Sequence, residues 1–250
     1  MLKTFIVDGD KGGVGKSMAA RALIHHFLVR DELTRPKIVV IDADCSNPDV
    51  CGTGGLKAGP GIMHASLVDL STEDGWIKFG TLVGEFSEMG EKIECRMIVN
   101  MPAQIGTRAF DGSIPIVNEV LREANAIPVW ILSRTQESIR ALEYRLENMW
   151  HRYQNGVAIK NLFFGQSDKF GIWADSQLRQ QLVVSGNWFE AELPELNDQL
   201  TVKIGRTPFH EVLSIGIEGK SLDFGYRLAL KSWLQKAGAA MAKVEDIGVA

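Results

Sequence analysis

The chain has 250 residues, 45% of them hydrophobic and 23% charged, with a net charge of −4. That length and composition suit one α/β domain able to bury a sizeable core without metal or disulfide support. The negative balance excludes a protein that coats nucleic acid through overall charge and leaves only a local basic patch open. Cys45, Cys51 and Cys95 are odd in number and without CxxC spacing. They point to a reducing cytoplasm and away from a zinc or iron–sulfur site. No signal-peptide pattern opens the sequence, and no apolar run is long enough to span a bilayer.

In chain order, Phe5-Ile6-Val7 predicts a buried strand, residues 9–17 read GDKGGVGKS, and residues 17–29 predict a helix. Strand, glycine turn and helix in that order is the setting of a phosphate-binding loop. Gly12, Gly13 and Gly15 remove the side chains that would keep a polyphosphate from the backbone, so N–H groups can point inward. Lys16 offers a cation to the β- and γ-phosphates, and Ser17 offers a hydroxyl to Mg²⁺ at the positive end of the helix.

Thr34-Arg35-Pro36 breaks the helical pattern, and residues 37–42 read as a buried parallel strand that opens into IDADCSNPD. Ligands of an open parallel sheet meet the carboxyl ends of its strands, so Asp42 and Asp44 are expected at the same crevice as the glycine loop. Residues 51–61, CGTGGLKAGPG, are too rich in glycine for a core element and predict a mobile connection. A helix is expected from near Ser71, with Trp76, Phe79 and Val83 on its packed face. Residues 96–102 give the next strand, ending at Asn100, and PAQIGTR follows it.

Further strands are predicted at 127–132 and 157–164, and an amphipathic helix at 136–150 with Ile139, Leu142, Leu146 and Met149 inward. Residues 173–184 predict a helix carrying Arg179. Ala191 to Pro194 read as a late strand and turn, and 221–244 as a closing helix with Tyr226, Leu230, Trp233, Leu234, Ala237 and Met241 on one face. Between Lys203 and Lys243, seven lysines and arginines face three acids, a local balance of +4. The alternation predicts an α/β chain: one doubly wound, mostly parallel sheet with helices on both faces, over residues 1–250.

With Lys11 included, KGGVGKS resembles the deviant Walker A P-loop ATPases of the ParA and MinD kind, whose pattern is KGGxGK[ST]. The resemblance implies ATP and Mg²⁺ as ligands and a homodimer in which Lys11 reaches the partner's nucleotide. It implies that residues from Lys11 through Gly12, Gly13, Val14, Gly15, Lys16, Ser17 and Met18 hold the phosphates, and that Asp44 orients the attacking water. Asp42 is placed behind the metal, and Asn100 stands where the family usually has an Asp. An amide can accept a hydrogen bond from a metal-bound water, but it brings no negative charge. In the same way Gln104 is expected near the γ-phosphate and Pro194 in the adenine pocket. The family's adenine-contacting Asn position falls on Gly165. Within the family the chain looks most like plasmid-encoded StbB or TraL members of stability and conjugation systems. These act on plasmid DNA directly or through a small DNA-binding protein. The ending VEDIGVA lacks the basic amphipathic membrane anchor of MinD-like proteins.

Overall fold

The computed structural model describes residues 1–102, 116–149, 155–217 and 219–247. The apolar runs that are buried on both faces become the strands of a parallel sheet, because only helices on either side can cover them. β1 (Leu2–Gly9) is buried along its whole length and lies at the centre of the sheet. It leads through the glycine loop into α1 (Lys16–Leu28), and β2 (Lys37–Asp42) follows. After β2 come β3 (Ile62–Leu67), α2 (Glu73–Gly90) and β4 (Cys95–Asn100). Next are α3 (Val117–Glu123), β5 (Ala126–Leu132), α4 (Gln136–Asn148) and β6 (Gly156–Asn161). Two short helices, α5 (Gly171–Ala174) and α6 (Gln177–Arg179), precede β7 (Trp188–Leu193). The chain closes with α7 (Asp198–Ile204), α8 (Phe209–Ser214) and α9 (Phe224–Glu245).

The strands lie in the order β3-β2-β4-β1-β5-β6-β7, and every neighbouring pair is parallel. Side chains alternate across the sheet. Phe5 and Val7 join the core beneath α1, α7, α8 and α9, while Ile6 joins the core beneath α2, α3, α4 and α5. Thr72 starts α2, its hydroxyl accepting a hydrogen bond from the Gly75 N–H at 3.1 Å. Phe79 and Phe86 on this helix are buried, each contributing roughly 1.5–3 kcal/mol of burial energy.

The structure departs from the sequence expectations at several points. The 51–61 connection is turn-rich, as its glycines require, but it is pinned: Leu56 is buried and its N–H donates to the Val50 carbonyl at 2.8 Å. It delivers β3, an edge strand that the sequence reading passed over. β6 ends at Asn161, and Leu162–Phe164 continue as a 3-10 turn. The expected 173–184 helix is broken. α5 stops at Ala174, Ser176 caps a new start by accepting from the Arg179 N–H, and Gln180–Val184 form a π turn. In α9 the expected face is buried from Leu230 to Met241 and extends to Ala240 and Val244, whereas Tyr226 is only half-buried.

Candidate functional site

The glycine loop lies at the carboxyl edge of the sheet, between β1 and α1. Its curl needs left-handed backbone at Gly13 (φ +74°) and Gly15 (φ +104°), which other residues rarely adopt. At Gly15 space is short as well: a Cβ there would come within 2.4 Å of Asn161 Nδ2. Asn161 is the residue on which the loop rests. Its Nδ2 donates to the Val14 carbonyl at 2.8 Å, and its Oδ1 accepts from the Phe163 N–H at 3.1 Å. β6 ends at this asparagine, four residues before Gly165.

Lys16 is buried, and its Nζ donates to the Lys11 carbonyl at 2.9 Å. Burial pulls its pKa below the usual lysine range, opposed by the carboxylates of Asp8, Asp44 and Asp10. Asp8 is held by Arg145 of α4 at 2.9 Å and by the Gly9 N–H at 2.8 Å, which fixes the strand end from which the loop springs. Asp10 turns inward with both oxygens shielded, and burial pushes its carboxyl up against the pull of Lys11 and Lys16.

Asp42 and Asn100 are register partners at the ends of β2 and β4. The Asn100 Nδ2 donates to Asp42 Oδ1 at 2.9 Å and lies 3.4 Å from the Ser17 hydroxyl, while the Asn100 Oδ1 is buried with no hydrogen-bond partner among the described residues. An orphaned acceptor beside a hydroxyl and a carboxylate fits a water held on a hard cation such as Mg²⁺. Asp42 also closes the following loop, its Oδ2 accepting from the N–H groups of Val50 (2.8 Å) and Cys51 (3.0 Å). Burial beside this carboxylate drives the Cys51 thiol up to about 12 and keeps it protonated. Asp44 caps its own turn: its Oδ1 accepts from Ser46 Oγ and the Asn47 N–H, each at 3.1 Å.

Gly12, Gly13, Gly15, Lys16, Ser17 and Met18 border a cavity of about 570 Å³, with Asp44 on its far side and Thr201, Gly205 and Arg206 as a third wall. The volume is in the range of small-molecule sites. The third wall, from the α7–α8 connection, had no sequence signal beyond Gly205 and Pro208 as breakers. Lys11 is exposed and lines a different cavity, of about 560 Å³, with Arg134, Asp168 and Lys169. Pro194 also lies away from the loop cavity, its carbonyl accepting from Trp233 Nε1 at 2.8 Å. Gln104 lies outside the described residues.

No protein-family model matches the chain. It is 25% identical over 237 residues to Protein MobD of Acidithiobacillus ferrooxidans, with 93% of each chain covered. Among solved structures it is similar to the MinD cell division protein of Aquifex aeolicus, with a TM-score of 0.56 and 17% identity over 99% of both chains. It is also similar to a ParA family ATPase from Chlorobium tepidum TLS, with a TM-score of 0.54 and 11% identity over 94% of this chain and 98% of that one. The wholly parallel seven-stranded sheet with its flanking helices is the P-loop NTPase fold of the ParA and MinD proteins.

Proposed function

We propose that this chain is a P-loop ATPase of the ParA and MinD kind that binds Mg²⁺-ATP in the glycine-loop cavity. The observation that carries the reading is the pairing of a buried Lys16 over left-handed glycines with an orphaned Asn100 oxygen beside Ser17. Inward amides and the α1 N-terminus hold the phosphates. Lys16 exchanges the Lys11 carbonyl for phosphate oxygens, and their charge offsets the burial that lowers its pKa. Ser17 would hold Mg²⁺, with Asn100 and Asp42 accepting from its waters; when bound, the ion neutralises phosphate charge. Asp44 orients the attacking water, and phosphoryl transfer asks for little more than this positioning.

The finer reading is an ATP-dependent homodimer in which Lys11 serves the partner's nucleotide. The dimer positions plasmid DNA, in partition or conjugation, directly or through a small DNA-binding protein. The exposure of Lys11, which faces away from this chain's own loop cavity, and the +4 balance of residues 203–243 support it. Sedimentation velocity should find the chain moving from monomer to dimer on adding ATP, and Lys11→Ala should abolish the shift; a mutant that dimerises like the parent removes the cross-subunit role. DNA retention should depend on ATP and weaken as salt rises from 50 to 200 mM. Retention indifferent to nucleotide and salt counts against DNA as cargo.

A second reading is favoured by Asn100 alone. With an amide where a carboxylate would help hold the cation, the chain acts mainly as an ATP-dependent binding scaffold with slow hydrolysis. Tight ATP binding without phosphate release, with or without DNA, would favour it over the ATPase.

A further inference from the structure

The cavity is closed by two segments that share no local sequence signal. On one side, the 205–207 loop is gripped from α1 by Arg21, whose guanidinium donates to the carbonyls of Gly205 (2.7 Å) and Thr207 (2.8 Å). The same group sits 4.6 Å over the Phe209 ring and is 8% exposed. Because α1 begins at Lys16, this grip makes the 205–207 loop part of the phosphate-loop body.

From that loop Arg206 reaches across to the β2–β3 connection. Its Nε donates to Asp49 Oδ1 at 3.0 Å, and a terminal nitrogen donates to Asn47 Oδ1 at 2.9 Å. Asn47 in turn donates its backbone N–H to Asp44 Oδ1 at 3.1 Å and its side-chain amide to Asp49 Oδ2 at 3.3 Å. Beyond Asp49, the next two N–H groups are held by buried Asp42. The 44–51 segment is thus held to the sheet at both ends through Asp42, which also accepts from the Asp44 N–H at 3.3 Å, and is gripped across its middle by Arg206.

We propose that Arg206 is the positioning residue of the site, a strap that fixes Asn47 and Asp49 to the 205–207 loop and thereby holds Asp44 in place beside the phosphate loop. The proposal rests on the nucleotide reading above for what Asp44 acts on, but the strap itself is independent of any ligand. A planar guanidinium that serves two acceptors at once sets direction as well as distance, which an ammonium cannot. The pair is partly exposed, at 38% for Arg206 and 37% for Asp49. An ion pair in that setting adds little to global stability, so its effect is local order.

The test compares the parent with Arg206→Ala and Arg206→Lys by hydrogen exchange without nucleotide, by binding of a fluorescent ATP analogue, and by ATP turnover. Arg206→Ala should leave the melting temperature unchanged and speed exchange at residues 44–51 by about tenfold. It should lower turnover by about tenfold, more than it lowers analogue affinity. Arg206→Lys should recover part of the protection, through Asp49 alone. Unchanged exchange at 44–51 overturns the strap, whatever the nucleotide does. Faster exchange with unchanged turnover overturns the positioning role, and weakened analogue binding with unchanged exchange would make Arg206 a nucleotide contact instead. A parent that binds no analogue defeats the nucleotide reading, and the exchange result then decides the strap by itself.

Discussion

Asn100 carries the sharpest residue-level consequence, because its amide nitrogen is bonded to buried Asp42 while its oxygen has no partner among the described residues. Asn100→Asp replaces that attraction by two carboxylates in contact, which costs roughly 2–4 kcal/mol at neutral pH unless a cation sits between them. The melting temperature of the variant should therefore fall in chelator, recover in millimolar Mg²⁺, and be accompanied by faster phosphate release. A variant that melts like the parent and ignores Mg²⁺ would remove Asn100 from the cation site. The placement of Lys16 and Ser17 at the loop cavity was legible in the sequence because it depends on spacing within one strand–loop–helix unit. Asn161 was not, since it acts on Val14 from a distance of 147 residues along the chain. The apolar run Leu162-Phe163-Phe164 also disguises where β6 ends, which is why the strand was expected to run on to Phe164.

Among elements, long segments with a clear period were readable and short ones were not. α2 announced itself through Thr72 and the spacing of Trp76, Phe79 and Val83. β3 did not, because an edge strand with one partner is only half covered and its sequence, IMHASL, has no strict alternation. α7 and α8 have seven and six residues, too few to display a helical period. The packing of α8 on α1 nevertheless has a measurable consequence. His25 of α1 lies edge-on to Phe209 at 6.1 Å, and burial next to His210 and His26 lowers its pKa to about 4. The unfolded chain binds this proton near pH 6.5 and the folded chain does not. Stability should therefore be full above about pH 6.5 and fall by on the order of 3 kcal/mol as the pH drops to about 4. Denaturant midpoints at pH 7, 5.5 and 4 check this. In His25→Gln the slope over that window should be shallower by about one proton, and an identical slope would show that His25 is not buried neutral.

For the whole molecule, alternating strands and helices made the doubly wound sheet legible, since apolar runs buried on both faces have few other solutions. What sequence could not convey is how the glycine loop, the 44–51 segment and the 205–207 loop close around one volume, because Arg21 and Arg206 make those joins only after folding. The central claim is that this volume accepts a nucleoside triphosphate through Lys16. Isothermal titration calorimetry with ATP and Mg²⁺ tests it most directly. One binding event per chain is predicted for the parent, with affinity reduced at least a hundredfold in Lys16→Ala. A parent that gives no heat with either ATP or ADP at several temperatures, or a Lys16→Ala variant that binds as the parent does, would contradict it.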